Sequence, residues 1–505
     1  STLNSSIVHE VRVQIGILYT DKKDRIHNRD TFKIGSFFLY PGNRKAFQSR
    51  MKAFVFVACI IVLQSYIVTG DPWRVKETNT SVTISTEYIR IVANKAPWNL
   101  KVYNSITREL IISETTNEKQ KLGYGVWKGQ YLQLFEGYLT RIGYIKEWHS
   151  VTNLLSWQKV PGGVQFGILG SDPAKHVLVF TIFDIFEYQF SFTATVDDMY
   201  NRVGFGFDIM DKGDVHEGFF GFGARYDTVN QRGKDTGVYV EEGSFGYGNS
   251  DKDIWFPDVT KPTSWAPMPV GISSRGYGIQ MDMSYRTSFD SKTNTSVMWM
   301  VAETSEMNAT FFITSNTKHA LELITKKNGR SLVPPPWQFG PWNQLGSEVD
   351  GVGLVERARQ LLFRDDIPFS HCVNTVHFFP DGEDINDTAL QEENAQLLKL
   401  GIKTTAYFNP MVSTRFNGTY DEAAQHGYLV KTEDGLPYNF SYHAAKNFYV
   451  SEVDFTNPDA VLWYQKQLQK GIDAGFKGWM YDYAEYTPSN SVAYDGSPES
   501  MLGFP

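Results

Sequence analysis

Hydrophobic and polar residues alternate along much of the chain between residues 71 and 335. In the runs 82–88 and 178–192, large apolar side chains recur mainly at every second position. A period of two places such side chains on one face of a β-strand. Turns rich in glycine, aspartate and asparagine, such as the one at 211–213, separate short runs of this kind. The pattern predicts an N-terminal β-sandwich spanning residues 71–335.

A second pattern begins after three consecutive prolines at 334–336, which cannot continue a strand or enter a helix interior. Short apolar runs then alternate with segments of helical period that begin at capping residues. The predicted strands are 337–339, 369–379, 403–408 and 476–481, and the predicted helices begin at Ser347, Thr388 and Asn457. This alternation is typical of a parallel sheet. Since a closed barrel has eight strands, residues 336–505 are predicted to form the N-terminal half of a catalytic (β/α)8 TIM-type barrel.

The first 70 residues differ from the rest of the chain. A basic start at Met51 precedes an apolar run at 53–63, and small residues follow it. This arrangement is typical of a secretory signal peptide, so residues 51–70 are interpreted as a signal and residues 1–50 as a non-native upstream extension. The alternative is a signal anchor with a cytoplasmic tail. Because Gln64 interrupts the run and leaves it short of the ~20 residues of a bilayer span, we expect secretion and no stable membrane span.

The composition of the 505-residue chain narrows the classes of partner and cofactor. Its net charge of -8 gives no basic surface for nucleic acid. Of the two cysteines, Cys59 lies in the predicted signal, which leaves Cys372 without a disulfide partner. His371 and His377 have no third ligand at a suitable spacing, so no metal and no cofactor are expected. The sequons after the signal predict a glycoprotein, and they begin at Asn79, Asn294, Asn308, Asn386, Asn417 and Asn439.

One carboxylate is distinguished by its position at the end of a predicted strand. The apolar run 476–481 ends directly on Asp482, and Glu485 follows three residues later. In a (β/α) barrel, catalytic acids project from the C-terminal ends of the parallel strands. Asp482 is therefore a candidate catalytic residue. The aromatic content of 15% is compatible both with β-structure and with stacking against sugars.

Several segments around Asp482 and in the β-domain carry a family resemblance. Residues 478–488 and 406–412 resemble the nucleophile strand and the third barrel strand of glycoside hydrolase family 31, in its sulfoquinovosidase branch. Similar segments elsewhere in the chain are 344–349, 422–431, 453–458, 221–225, 231–234 and 273–278. The resemblance covers residues 210–505 with specific motifs.

The resemblance implies a retaining α-glycosidase, in which one aspartate attacks the anomeric carbon and a second acts as general acid and then as base. Asp482 maps onto the nucleophile. The implied substrate-binding residues are Gln344, Trp479, Glu485, Asn409 and Arg275, the last joined by Tyr277 from the β-domain. The family's acid/base aspartate lies on a later strand, beyond Pro505. The chain is therefore expected to be C-terminally truncated and inactive as it stands.

The identity of the sugar stays open. The sulfoquinovosidase branch reads its sulfonate partly with an arginine and a tryptophan, and the corresponding segment 372–386 has neither. Gln344 matches a glutamine of that pocket, but a neutral α-linked glucoside or galactoside fits at least as well. Asp454 is interpreted as a structural residue of the loop before a helix. The alternative function is a catalytically inactive, secreted carbohydrate-binding or signalling relative, and the oligomeric state is not predicted.

Overall fold

The computed structural model describes residues 72–133, 139–225, 227–238, 264, 266–344, 353–379, 387–442, 448–481, 487–488 and 490–496. The predicted extension 1–50, the predicted signal 51–70 and the sequon residue Asn386 lie outside these residues. The described residues all belong to one unit of the chain, Asp71–Pro505. None of the helices in the described ranges is both long enough and apolar enough to span a bilayer.

The N-terminal part of the described chain consists mainly of β-strands. In chain order the strands are β1 (Arg74–Glu77), β2 (Ser81–Ser85), β3 (Ile89–Lys95), β4 (Trp98–Asn104), β5 (Leu110–Ser113), β6 (Gly123–Gln133), β7 (Leu139–Val160), β8 (Gly163–Gly170), β9 (Val177–Phe186), β10 (Gln189–Thr195), β11 (Arg202–Asp208), β12 (Phe219–Gly223), β13 (Asp235–Val238), β14 (Pro267–Ser273), β15 (Gly278–Met281), β16 (Thr287–Asp290), β17 (Val297–Ala302) and β18 (Glu306–Phe312). Strands β1 to β5 form one sheet in chain order, and the others form a second, thirteen-stranded sheet.

The two sheets pack against each other through the alternating apolar residues that the sequence pattern predicts. In β2, Val82 and Ile84 are buried while the residues between and beside them remain partly exposed. The Trp98 ring of the small sheet contacts Phe166 and Phe180 of the large sheet edge-on, with centroid distances of 5.5 and 6.0 Å. These residues belong to one continuous hydrophobic core. The predicted β-sandwich is therefore confirmed as a sandwich-like domain.

The alternating run 178–192 is a hairpin instead of one continuous strand. Strand β9 ends at Phe186, Glu187 adopts the left-handed region with a φ of 45°, and β10 follows. Phe192 then pairs antiparallel with Ile182. The sequence gives little warning of this turn, because the residues at the turn are neither glycine, proline nor asparagine.

A helix interrupts the described part of the predicted β-domain. Helix α1 (Thr317–Asn328) follows β18, and the Asn316 side chain caps it by accepting hydrogen bonds from two backbone N–H groups of its first turn. Leu323 packs against Phe312 of β18. Only three residues of this helix are buried, so its apolar face is too short to give a clear helical period in the sequence.

The C-terminal part of the described chain alternates strands and helices. The strands are β19 (Trp342–Gln344), β20 (His371–Phe379), β21 (Lys403–Phe408), β22 (Met411–Ser413), β23 (Phe440–Tyr442), β24 (Phe448–Glu452) and β25 (Trp479–Tyr481). The helices are α2 (Leu354–Arg359), which a π-helical turn continues to Arg364, then α3 (Asp387–Lys399), α4 (Asn417–His426) and α5 (Pro458–Asp473). Strands β19, β20, β21 and β25 pair in this order, all in parallel. This is the predicted arrangement of a TIM-type barrel sheet, while the number of strands in the whole barrel stays a prediction.

Three predicted strand starts are wrong, and the smallest error is in β20, which starts at His371 instead of 369. Residues Pro336–Phe339 form a 3-10 turn, and the first parallel strand starts only at Trp342. Pro336 has no N–H group for a strand ladder, and its fixed φ suits the first position of a helical turn. The last strand starts at Trp479 instead of 476, because the Phe476 N–H still donates to Gly471 at the end of α5. Strand β21 coincides with the predicted strand 403–408.

Helix α5 begins and ends as its sequence predicts. The Asn457 side chain accepts a hydrogen bond from the backbone N–H of Asp459, and Pro458 occupies the first helical position. Gly475 follows the helix with a φ of 91°. Between β21 and α5 the chain forms a small antiparallel sheet in the order β22, β24, β23, and Val412 of this sheet packs with α4 and α5.

Candidate active site

The C-terminal ends of the parallel strands lie at one edge of the sheet, and several predicted site residues lie at these ends in the chain. Gln344 is the last residue of β19, Asn409 follows β21, and Asp482 is the next residue after β25. Strands β21 and β25 pair with Phe408 opposite Tyr481. Asn409 and Asp482 are therefore the next residues along two neighbouring strands. This edge is where (β/α) barrels carry their catalytic groups.

Three of the predicted site residues cannot be described by their side chains. Asp482 and Glu485 lie outside the described residues. Gln344 is described by its backbone, which pairs with Val373 of β20. The assignment of Asp482 as the nucleophile and those of Glu485 and Gln344 as substrate-binding residues stay predictions.

Asn409 is buried where β21 ends, with only 8% of its surface exposed. Its carbonyl oxygen accepts a hydrogen bond of 2.8 Å from the Tyr464 hydroxyl of α5. The same tyrosine ring contacts Tyr481 edge-on at 5.9 Å. Partial burial of the Tyr481 side chain raises its pKa to about 12. Tyr464 of α5 thus contacts both strand ends, by a hydrogen bond to Asn409 and by a ring contact with Tyr481.

Trp479 lies on the face of the sheet that is directed towards the helices. It pairs with Ala406, and directly paired residues of a parallel sheet share a face. Ala406 and Phe408 are packed with residues of α3 and the end of α5. The Trp479 ring, 39% exposed, contacts Phe408 edge-on at 5.6 Å. This position favours a packing role, and the substrate contact predicted for Trp479 stays a prediction.

Arg275 lies in the turn between β14 and β15 and is engaged by the small sheet of the sandwich. Its guanidinium donates hydrogen bonds to the carbonyl oxygens of Leu110 at 2.7 Å and Ile111 at 3.2 Å. A third contact, of 3.2 Å, reaches the Glu109 carboxylate. Only 8% of the Arg275 side chain is exposed. The structure thus gives Arg275 a bridging role inside the β-domain, and no described contact joins it to the strand ends.

Tyr277 is a core residue of the β-domain. It is completely buried, and its hydroxyl donates a hydrogen bond of 2.6 Å to Glu217. Burial, together with the nearby Glu217 carboxylate, raises the pKa of Tyr277 well above its ordinary value. Glu217 also accepts hydrogen bonds from the Ser273 hydroxyl and from the Met210 N–H. This network joins the segment that precedes β12 to the end of β14 and to the residues that follow β14. Tyr277 is therefore in the environment of a structural tyrosine.

Asp454 links two segments of the candidate site that are far apart in the chain. One carboxylate oxygen accepts hydrogen bonds from the Thr456 N–H at 3.0 Å and the Thr456 hydroxyl at 2.6 Å. The other accepts a hydrogen bond of 2.6 Å from the backbone N–H of Tyr494. Asp454 is 1% exposed. These bonds agree with the interpretation of Asp454 as a structural residue. Its hydrogen bond to the segment that follows Asp482 could not be predicted from the sequence.

Cys372 and His371 are packing residues at the start of β20. Cys372 is buried, and burial raises the pKa of its thiol to about 12. The His371 ring packs between Trp337 and Trp342, with centroid distances of 5.4 and 6.1 Å. No group of three or more histidine, cysteine, aspartate or glutamate side chains suited to a metal ion occurs in the described ranges. The side chain of His377 lies outside the described residues.

Two family models match the chain. The Glycosyl hydrolases family 31 TIM-barrel domain matches residues 331–501, and the Glycosyl hydrolase 31 N-terminal galactose mutarotase-like domain matches residues 25–290. The second match alone covers more than half of the 505 residues.

The similar curated proteins include several glycosidases. The chain is 26% identical over 305 residues to alpha-xylosidase XylQ of Lactiplantibacillus pentosus, covering 56% of this chain and 36% of that protein. It is 24% identical over 313 residues to the sulfoquinovosidase of Escherichia coli, covering 56% and 44% of the two chains. The chain thus spans less than half the length of these relatives.

The similar solved structures show the same fold. A family 31 sulfoquinovosidase from E. rectale, in complex with an aza-sugar inhibitor, superimposes with a TM-score of 0.65 at 20% identity over 85% of this chain and 61% of its own. A dextranase from Flavobacterium johnsoniae, complexed with glucose, gives a TM-score of 0.56 at 19% identity over 84% and 42%. At these identities the likeness supports the architecture, a β-sandwich-like domain followed by a TIM-type barrel domain.

Proposed function

Because the chain belongs to glycosyl hydrolase family 31, we propose that the protein hydrolyses α-linked glycosides with retention of configuration and with Asp482 as the nucleophile. The observation that carries this proposal is the register of β21 and β25. It brings the ends of the two strands, Phe408 and Tyr481, side by side at the C-terminal edge of a parallel sheet, and Asp482 is the next residue in the chain. Catalytic groups of (β/α) barrels occupy this edge.

The proposed reaction needs two carboxyl groups. The Asp482 carboxylate attacks the anomeric carbon while an acid/base aspartate protonates the leaving oxygen, so the glycosidic bond breaks and a glycosyl–enzyme ester forms. The acid/base group then deprotonates a water molecule, which attacks the same carbon and releases Asp482. Two inversions give net retention. The second carboxyl group must lie ~5–5.5 Å from the first, and we assign it to no residue of the described ranges.

The neighbouring strand end is suited to support an ionised nucleophile. Asn409 follows β21 and is held there because its carbonyl oxygen accepts from Tyr464. We assign its side-chain amide as a donor towards the Asp482 carboxylate. A hydrogen bond to the charged form of a carboxyl group lowers its pKa and keeps it nucleophilic.

The proposed substrate is a neutral α-linked sugar. The similar curated proteins include both α-xylosidases and sulfoquinovosidases. Segment 372–386 has neither the arginine nor the tryptophan that the sulfonate-reading branch is expected to use. A sulfonate without a cationic partner would carry an uncompensated charge into the site, which is unfavourable. We therefore expect α-glucosides, α-galactosides or α-xylosides to be hydrolysed faster than α-sulfoquinovosides.

The test uses the protein from the complete reading frame with a panel of 4-nitrophenyl α-glycosides. Asp482→Asn should lower kcat at least ~10³-fold, as expected for loss of a nucleophile. Asp482→Gly with azide should give the β-glycosyl azide, because the small anion attacks from the vacated face. Asp459→Asn, which changes an exposed acid of α5 outside the predicted site, is the control and should keep the parent rate. An unchanged rate in Asp482→Asn would refute the assignment.

We further propose that the protein is secreted and glycosylated, with cleavage after Gly70. The support is the signal-like sequence 51–70 and the exposure of the sequon residues Asn79 and Asn439 on the described surface. N-terminal sequencing of the secreted product tests the cleavage site.

Sugar binding without turnover by the complete protein would favour the alternative function, a catalytically inactive carbohydrate-binding relative.

A further inference from the structure

A polar cavity of about 430 Å³ lies between the turn that precedes β23 and the segment that follows Asp482 in the chain. The residues that line it are Thr432, Glu433, Asp434, Tyr438, Asn439 and Asn490. Its volume is within the range of ~300–1,000 Å³ that small-molecule sites occupy. None of the predicted catalytic or substrate-binding residues lines it, whereas the predicted sequon residue Asn439 does.

The two sides of the cavity are held together by backbone pairing. The Lys431 N–H donates to the Val492 carbonyl at 3.1 Å, and the Val492 N–H donates back at 2.7 Å. On the turn side, Tyr438 donates its N–H to Val430 at 2.8 Å. The cavity walls are therefore part of the hydrogen-bonded framework, which fixes the spacing between Tyr438 and Asn490.

Two asparagine amides are oriented by tyrosine hydroxyls. The Tyr438 hydroxyl donates to Oδ1 of Asn490 at 2.8 Å, and the Tyr420 hydroxyl donates to Oδ1 of Asn439 at 2.9 Å. Because each amide oxygen is engaged, each Nδ2 group is turned away from its tyrosine and keeps its donors. No described residue accepts a hydrogen bond from either Nδ2. Asn490 therefore offers amide donors to the cavity, whereas Asn439 offers them where its sequon carries no glycan.

The acceptors of the cavity are the carboxylates of Glu433 and Asp434. Both side chains are exposed, and neither makes an ion pair with a described residue. Two carboxylates disfavour an anionic ligand. A metal ion is also disfavoured, because the described residues contain no cluster of three or more acidic, histidine or cysteine groups. Sugar hydroxyls both donate and accept, so they match amide donors beside carboxylate acceptors.

We propose that this cavity is an accessory binding site for a neutral sugar unit of an oligosaccharide, separate from the position of bond cleavage. Tyr438 supplies an aromatic wall, Asn490 donates to sugar hydroxyls, and Glu433 and Asp434 accept from them. Asn490 lies eight positions after Asp482 in the chain, so a bound sugar contacts the segment that leaves the proposed nucleophile. The ligand class rests on the proposed glycosidase function, whereas the binding itself does not require turnover.

The experiment measures binding without catalysis. Isothermal titration of maltotriose and isomaltotriose is carried out on the complete protein carrying Asp482→Asn, with the catalytic pocket saturated by an iminosugar. Ser441→Ala is included, because it removes the sequon at Asn439 without changing a cavity residue. Asn490→Asp replaces a donor with a third carboxylate and should weaken binding by ~10-fold or more, and Tyr438→Phe should weaken it by ~5-fold. Asn79→Asp, on the β1–β2 turn, is the matched control and should bind as the parent does.

The outcomes distinguish the accessory sugar site from the proposed glycosidase function. Saturable sugar binding that both cavity variants weaken supports the accessory site, even if the complete protein shows no turnover and the proposed function fails. Absence of sugar binding, or equal affinity in Asn490→Asp and the parent, overturns the accessory site even if the enzyme is active. Binding of Ca²⁺ in place of sugar, lost in the same variants, also overturns it.

Discussion

Asp454 provides a sharp test of how the candidate site is held together. Its carboxylate accepts two hydrogen bonds from Thr456 and one from the Tyr494 N–H, across 40 residues of sequence. Asp454→Asn keeps an oxygen for Thr456 but presents an amide NH2 group to Tyr494. The asparagine NH2 group and the Tyr494 N–H, both donors, then face each other at a position where residue 454 is only 1% exposed. Asp454→Ala removes all three bonds.

The expected magnitudes follow from these bonds. A hydrogen bond to a charged group contributes ~1.5–3 kcal/mol, so Asp454→Asn should lower the free energy of unfolding by about that amount. Asp454→Ala should lower it by ~3–5 kcal/mol, since buried donors are left without acceptors and the three contributions are not additive. Asp459→Asn, an exposed acid in the first turn of α5, is the control and should stay within ~0.5 kcal/mol of the parent.

Urea unfolding followed by tryptophan fluorescence measures the stability, and amide hydrogen exchange locates the effect. In Asp454→Asn, the Tyr494 amide should lose protection while the Thr456 amide keeps it. In Asp454→Ala, both should exchange faster. Unchanged protection of Tyr494 in Asp454→Asn would show that the carboxylate does not hold the segment after Asp482, and the reasoning would be refuted.

Three further predictions concern buried or exposed groups of the described chain. Burial acts to raise the pKa of Asp172, but hydrogen bonds from Tyr124 and His176 outweigh it and lower the pKa from 3.8 to about 2. Asp172→Asn should therefore lower the free energy of unfolding by ~2–3 kcal/mol at pH 7. In urea titrations this difference should be fully present above pH 3.8 and shrink as the pH falls through 2, and a difference that persists below pH 2 would contradict the linkage. Cys372 should resist iodoacetamide at pH 8 until the protein is unfolded, because burial raises its pKa to about 12, and rapid native labelling in peptide mass spectra would contradict this. Asn79 is exposed in a turn, whereas the Asn308 amide bonds both Glu306 and Thr193 inside the sheet, so secretion from eukaryotic cells should give glycan at Asn79 and none at Asn308, as read from glycosidase-dependent ¹⁸O labelling.

The sequence determined much of the local structure because the signals for it lie within a few residues. The period of two in β2 requires only that one face of the strand be buried, and Val82 and Ile84 satisfy it. The cap of α5 also lies within three residues, from Asn457 to Asp459. The strand–helix alternation after the three prolines predicts parallel pairing, because parallel strands need a crossover connection. The position of Asp482 directly after a predicted strand is likewise a local feature of the sequence.

The tertiary structure decided which way side chains face and what they contact. Trp479 could line a pocket or pack under a helix, and only the register against Ala406 places it on the helix side. Arg275 bonds carbonyl groups more than 160 residues away, and Asp454 bonds Tyr494. Hydrogen bonds of this kind depend on how distant segments pack. The residue type of either partner is therefore not enough to predict them. The sequence therefore predicted most of the elements and the candidate nucleophile, whereas the surroundings of the site were decided by contacts between segments that only folding brings together.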